Sequence, residues 1–183
     1  MPEYVSRAGF KLAHALDAFE LAVAGRTCAD LGCSTGGFVD CLLQRGAAKV
    51  YAVDTGYGVL DWKLRKDSRV VVMERTNAMH AKIPEPVSLL TIDVSWTKQK
   101  NILPPAREML GADGLVVSLI KPHYEADASL LRRGILPARD LPGVLDQAAR
   151  DIDEAGFELL SITRSPLGGK RANAEFLALL RPR

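Results

Sequence analysis

Charged residues stand where short apolar runs end: Asp30, Asp54, Glu74, Asp93 and Lys121. The first belongs to Asp30-Leu-Gly-Cys-Ser-Thr-Gly-Gly-Phe38, a glycine-rich turn between an apolar run and a helix-like run. Glycine has no Cβ and tolerates positive φ, so such a turn lets backbone approach a bound ligand closely. Asp54 follows at the end of the next apolar run, where a doubly wound fold holds ribose hydroxyls. A carboxylate at Asp30 would repel a pyrophosphate, yet it suits a ligand bearing an amino group and a positive charge. S-adenosylmethionine has both. The dinucleotide fingerprint fails because Ser34 stands where its middle glycine is required, and the phosphate-cradling loop fails because Phe38, not lysine, follows Gly37.

The acceptor is constrained by what is absent. Attack on carbon 5 of a pyrimidine needs a cysteine nucleophile, and no cysteine lies beyond Cys41. Amino-group methylation uses an Asn/Asp-Pro-Pro-aromatic turn, and Asp93-Val-Ser-Trp96 lacks both prolines. A hydroxyl acceptor must instead lose a proton. Lys121, directly after Leu-Ile at a strand end, can help it do so. A free lysine has a pKa of about 10.4, so burial or a second cation must act on a lysine that serves as a base. Lys11 is a candidate second cation, and Glu175 a candidate for positioning both.

These residues need elements to carry them. Ser6 to Leu21 places Leu12, Leu16 and Phe19 on one helical stripe, with Lys11 and His14 off it. Strands are expected at Thr27–Leu31, Lys49–Asp54, Val70–Glu74, Leu89–Val94, Leu115–Ile120, Phe157–Ser165 and Glu175–Leu180. Helices are expected at Gly37–Gln44, Leu60–Lys66, Ile102–Leu110 and Leu141–Ala155, with Pro104 and Pro105 in the first turn of the third, where a missing N–H costs least. The last two strands are joined by too few residues for a parallel crossover and should form an antiparallel hairpin. The pattern predicts an open α/β sheet of seven strands, mostly parallel with an antiparallel last strand. Its ligand should sit at the carboxyl ends of the strands.

Bulk properties agree with one domain over 1–183: an N-terminal helix within 1–24 carrying Lys11, and a sheet core over 25–183. The chain has 183 residues, 48% of them hydrophobic and 25% charged, with a formal net charge of +2. Cys28, Cys33 and Cys41 fit neither a zinc site nor a disulfide framework and read as buried thiols in a reducing cytoplasm. The apolar run Gly114–Ile120 is far shorter than the roughly 20 residues that span a bilayer. A cytoplasmic protein with no membrane partner and no metal is expected.

Across nearly its whole length the chain resembles the TlyA family of haemolysin-like ribosomal-RNA methyltransferases, and more distantly the FtsJ-type RNA 2′-O-methyltransferases. The resemblance is carried by Tyr4-Val-Ser-Arg-Ala-Gly-Phe-Lys-Leu12, Asp30 to Phe38 and Asp40-Cys-Leu-Leu-Gln-Arg-Gly-Ala47. It continues through Val50-Tyr-Ala-Val-Asp54 with Gly56-Tyr-Gly58, Glu74-Arg-Thr-Asn77, Thr91-Ile-Asp-Val-Ser95, Lys121-Pro122 and Asn173-Ala-Glu-Phe-Leu177. It implies a Rossmann-like class I methyltransferase fold, S-adenosylmethionine as cofactor, and ribosomal RNA or ribosomal subunits as partner. It also implies a Lys-Asp-Lys-Glu catalytic set on Lys11, Asp93, Lys121 and Glu175. Asp54 would hold the cofactor ribose, Asp30 and Gly32 its methionine end, and Thr76 and Asn77 would lie near adenine. Ser34, Gly36, Gly37 and Phe38 complete the cofactor loop, with core packing the favoured role for Phe38, and Asp93 counts among the cofactor contacts as well.

The chain departs from the family in places. Relatives carry a small RNA-binding domain before the Tyr-Val-Ser-Arg block. The polar Trp96-Thr-Lys-Gln-Lys100 stands where they are mostly apolar, His123-Tyr124 where they have Gln-Phe, and Lys170-Arg171 where they tend to Pro-Glu. A basic rim of Lys98, Lys100, Arg132, Arg133, Arg164, Lys170 and Arg171 would make salt-sensitive phosphate contacts. Trp96 and Tyr124 would stack an extruded base. The function expected is 2′-O-methylation of ribosomal RNA. The alternatives are another RNA or a small hydroxylated acceptor, or a non-catalytic RNA-binding or assembly factor.

Overall fold

Near-continuous apolar runs make strands buried on both faces, and here they form a parallel sheet covered on each side by helices. The computed structural model describes residues 3–167 and 173–183. Helix α1 (Ala8–Ala18) precedes β1 (Thr27–Leu31), α2 (Gly37–Gln44), β2 (Lys49–Val53), α3 (Trp62–Arg65) and β3 (Val70–Met73). After a 3₁₀ turn at Ala78–His80 come β4 (Val87–Ile92), α4 (Gln99–Met109), β5 (Leu110–Ile120) and the short α5 (Pro122–Glu125). A second 3₁₀ turn at Ala128–Leu130 leads to α6 (Leu141–Glu154), β6 (Phe157–Arg164) and β7 (Phe176–Pro182).

The strands lie in the order β3-β2-β1-β4-β5-β7-β6. β1 through β5 pair in parallel, and β7 inserts antiparallel between β5 and β6. This is the seven-stranded, mostly parallel α/β sheet expected from the sequence. Alternate strand residues feed two cores. One joins Cys28, Val50, Leu89, Val117 and Leu179 to α1 and α2 through Leu12, Leu16, Val39 and Leu42. The other joins Leu31, Val53, Leu90, Ile92 and Leu180 to α4 and α6 through Ile102, Leu103, Ala148 and Ile152.

Strand order and helix packing together shape the ligand-binding edge. The order turns at β1–β4, so the loops after β1 and β4 part and leave a crevice at their carboxyl ends. Helix α1 lies directly on α2: Val5 N–H donates to Asp40 Oδ2 at 2.9 Å, and Asp40 is 2% exposed. A Cβ at Gly37 would come within 2.3 Å of Ser6 Oγ and 2.8 Å of Gly9 N, so glycine is what lets the two helices meet.

Helix α4 differs from the helix expected at Ile102–Leu110. It begins at Gln99, which places Pro104 and Pro105 inside it rather than in its first turn. Tertiary contacts fix the earlier start: Gln99 N–H donates to the Glu125 carboxylate at 3.0 Å, and Ser118 Oγ donates to Gln99 Oε1 at 2.7 Å. The three cysteines are buried free thiols, and burial pushes Cys28 and Cys41 up to about 12. No helix among the described residues is long and apolar enough to cross a membrane.

Candidate active site

A cavity of about 400 Å³ opens at the carboxyl ends of β1, β2 and β4. Gly32, Ser34, Asp54, Thr76, Asn77 and Asp93 supply its polar wall, and Ala78, Met79 and Ile102 its apolar one. This size and mixture suit a small molecule held by a few convergent polar groups. The backbone of the β1–α2 turn is stitched to the next strand, with the N–H groups of Gly32 and Cys33 both donating to Val53 O. Asp54 braces the same turn: its carboxylate accepts Ser34 N–H at 2.8 Å and Gly56 N–H at 2.7 Å. Glu74 performs the same service for the loop after β2. It accepts from Gly58, Val59 and Leu60 N–H and pairs with Arg65, and these backbone donors hold its carboxyl below the ordinary range.

Several residues read from the sequence as cofactor contacts lie behind the cavity instead of lining it. Asp30 is 1% exposed. Its Oδ1 accepts a hydrogen bond from Thr91 Oγ1 at 2.6 Å, and its Oδ2 has no partner among the described residues. Burial pushes its carboxyl up to about 7, opposed by the Thr91 hydrogen bond and assisted by Asp93 and Asp54. Gly36 sits under Leu60 and Leu64 with φ at 100°, Gly37 is taken up by α1, and Phe38 is 2% exposed in the core. Those four build the turn; Gly32, Ser34, Asp54, Thr76, Asn77 and Asp93 face the ligand space.

Asp93 lines one end of it and pairs there with Lys121, which stands just outside the lining. Lys121 Nζ donates to Asp93 Oδ1 at 2.5 Å and to Val94 O at 3.3 Å, with the two side chains 12% and 20% exposed. Adjacent parallel strands set this up, because each residue is the first after β4 or β5. A second pair stands beside it: Lys11 Nζ donates to Glu175 Oε2 at 2.5 Å, with the side chains 16% and 19% exposed. β5 and β7 pair from Val116↔Leu180 to Ile120↔Phe176, and the next step of that register sets Lys121 opposite Glu175. Lys11 and Glu175 line a wider cavity of about 770 Å³ with Ser6, Arg7 and Asn173, and Ser34 borders both spaces.

Aromatic side chains flank Lys121. Trp96, 82% exposed with φ of 60°, stacks on Tyr124 at 4.6 Å between centroids. Tyr124 in turn meets His123 at 4.2 Å, and Lys121 Nζ lies 5.7 Å from its ring centre. Burial lowers the His123 imidazole below its ordinary value. Of the basic rim, Lys100, Arg132, Arg133 and Arg164 are exposed, while Lys98 is turned inward to Glu125 O at 2.7 Å. Lys170 and Arg171 lie outside the described residues. Reading the sequence alone does not single out Ser6, Arg7, Thr91, Gln99 or Glu125 for the site. Ser6, Arg7 and Thr91 carry a signal there only as members of the larger blocks around Lys11 and Asp93.

Among the described residues no group of three or more His, Cys, Asp or Glu side chains could hold a metal ion. The donor set fits S-adenosylmethionine. The carboxylates of Asp54 and Asp93 face the cavity for hydroxyls and cationic centres, the unpartnered Asp30 Oδ2 lies behind, and apolar side chains offer a wall for a base.

An α/β sheet of this order, with a small-molecule cleft at the switch point and two lysine–carboxylate pairs beside it, is a frame that suits a methyltransferase. The FtsJ-like methyltransferase family pattern matches residues 4–181, and the chain belongs to that family. It is 42% identical over 188 residues to the 16S/23S rRNA (cytidine-2'-O)-methyltransferase TlyA of Mycobacterium tuberculosis, covering 97% of this chain and 68% of that protein. A solved structure from Streptococcus thermophilus that carries the hemolysin name superposes with a TM-score of 0.94 at 40% identity, covering 100% of this chain and 68% of that one. An S-adenosylmethionine dependent methyltransferase from Listeria monocytogenes shares the fold, with a TM-score of 0.72 at 15% identity over 96% of this chain and 97% of that one.

Proposed function

We propose that this enzyme transfers a methyl group from S-adenosylmethionine to a ribose 2′-hydroxyl of ribosomal RNA, acting in the cytoplasm as one domain. The observation that carries the reading is the Lys121–Asp93 pair at the mouth of the small-molecule cleft, with Lys11–Glu175 in the wider adjoining cavity. The name of the Mycobacterium tuberculosis relative supports the acceptor.

Bound S-adenosylmethionine supplies an electrophilic methyl group. Asp54 would hold its ribose, Asp93 and the turn at Gly32 its amino-acid end, and Ala78, Met79 and Ile102 its adenine. Lys121 handles the proton of the acceptor. As the neutral amine, Nζ takes the hydroxyl proton on its lone pair, and Asp93 Oδ1, already in hydrogen-bond contact with it, holds the ammonium that forms. Loss of that proton makes the ribose oxygen nucleophilic, a form of assistance worth roughly 10²–10⁴ in rate. Lys11, fixed by Glu175, offers a cation to the same ribose or its phosphate, and holding both reactants in place supplies a further share. Trp96 and Tyr124 offer an exposed stacking surface for the base of that nucleotide.

Tritiated methyl transfer to purified ribosomal subunits and free rRNA tests the reading. Label on ribose after nucleoside digestion, absent with Lys121→Ala, is the expected result. Label on a base, or on no ribosomal RNA at all, would overturn it.

A further inference from the structure

We propose that Glu125 is a positioning residue for methyl transfer, clamping the loop that carries Asp93 against the short helix that begins beside Lys121. This rests on the transfer reaction assigned above. The residue is 8% exposed and stands at the end of α5, one helical turn after Lys121, its own N–H donating to Lys121 O at 3.2 Å. Its Oε1 accepts Gln99 N–H, the first amide of α4, at 3.0 Å. Its main-chain oxygen accepts Lys98 Nζ at 2.7 Å. Ser118, near the end of β5, donates to the Gln99 side chain at 2.7 Å.

The segment between Asp93 and Lys98 is otherwise a loop running past Val94, Ser95 and Trp96 along the cleft. Its two ends are therefore fixed by different means. Asp93 N–H continues the β4–β1 ladder to Leu31 O at 2.9 Å, and the far end is tied to β5 and α5 through Gln99 and Glu125. The Lys121–Asp93 contact at 2.5 Å depends on these two segments keeping their spacing. Removing the carboxyl leaves a buried amide without its acceptor, so the loop end relaxes toward water and Asp93 loses its alignment.

The carboxyl's surroundings explain why a neutral side chain can serve. Burial pushes it up to about 7. The Gln99 amide and the positive charges of Lys98 and Lys100 oppose the shift, and Asp151 on α6 assists it. Its Oε2 is buried with no partner among the described residues. A glutamine keeps the acceptor for Gln99 N–H and carries no charge, so it should reproduce the clamp where alanine cannot.

The experiment compares wild type, Glu125→Gln, Glu125→Ala and Ser118→Ala in methyl transfer to rRNA, with amide exchange across 93–100 as a second readout independent of any acceptor. Glu125→Ala should lower kcat at least tenfold, by more than any rise in KM for S-adenosylmethionine, and speed exchange at Gln99. Glu125→Gln should restore kcat to within about threefold. If Glu125→Ala does not fold, Ser118→Ala carries the test, with a smaller fall in kcat that again exceeds any rise in KM. Alanine variants that keep kcat, variants that lose kcat only in proportion to cofactor binding, or a glutamine no better than alanine would each overturn the proposal. A wild type inactive on rRNA whose amide exchange still follows these expectations would defeat the acceptor assignment and leave the clamp standing.

Discussion

Gly32 and Asp93 are in backbone contact across the cleft: a Cβ on the glycine would stand 2.4 Å from the Asp93 carbonyl oxygen. The turn that lines the cleft and the strand end that carries an acid are thus packed as one unit. Gly32 also has φ of 86°, a region costing an L-residue about 1–2 kcal/mol. Gly32→Ala should therefore lower the melting temperature by several degrees and weaken S-adenosylmethionine binding at least tenfold. Calorimetric titration and thermal melts check both.

Lys121→Ala should separate binding from chemistry. Transfer should fall by roughly 10²–10⁴, the range of lost proton-transfer assistance, while cofactor affinity stays within a few-fold, because Lys121 does not line the cofactor cavity. Single-turnover transfer beside equilibrium binding measures the two separately.

Lys11→Ala and Glu175→Gln should act as one lesion. Each removes the same 2.5 Å pair, so the double variant should be no worse than the more damaged single variant. Additive losses in kcat would show the two residues working independently.

Asp30 makes stability depend on pH. Its folded pKa of about 7 lies above the ordinary 3.8, so the stability it contributes is fully present below 3.8 and is lost as pH rises through about 7. Asp30→Asn, which keeps an acceptor for Thr91, should gain stability relative to wild type across that window and hold a constant difference above it. Paired melts from about pH 4 to about pH 8.5 measure the crossover.

Trp96→Ala should raise the KM for RNA by roughly 5- to 150-fold, the loss of about 1–3 kcal/mol of base stacking. Because Trp96 also borders the cofactor cavity, cofactor affinity is measured in the same variant. An unchanged KM for RNA would remove the stacking assignment.

The placement of the charged residues is legible because strand ends are legible. Asp54, Asp93 and Lys121 each follow an apolar run, and each stands just past the strand that run forms. Asp30 ends no strand; it lies inside β1, and the Thr91 hydroxyl that donates to it there belongs to a strand 61 positions away. The glycines of the turn look alike in the sequence. Only packing against α1 and against Leu60 and Leu64 separates Gly37 and Gly36 from Gly32, and those partners are distant or leave no periodic trace. Pro104 and Pro105 depart from expectation for a related reason. Proline preference at a helix start is a local rule, and Gln99 is fixed as the first residue of α4 by Glu125 and Ser118 from other elements.

The two ion pairs ask different things of a folding chain. Asp93 and Lys121 are 28 residues apart, whereas Lys11 and Glu175 are 164 apart. Closing the longer loop costs about 1.5 kcal/mol more in chain entropy, from the logarithmic dependence on length, and it waits on β7 being laid down between β5 and β6. During refolding, the cofactor cleft and the Lys121–Asp93 pair should mature first and the Lys11–Glu175 pair last. Recovery of catalysis then reports that the whole topology has closed, while recovery of cofactor binding reports only its first half.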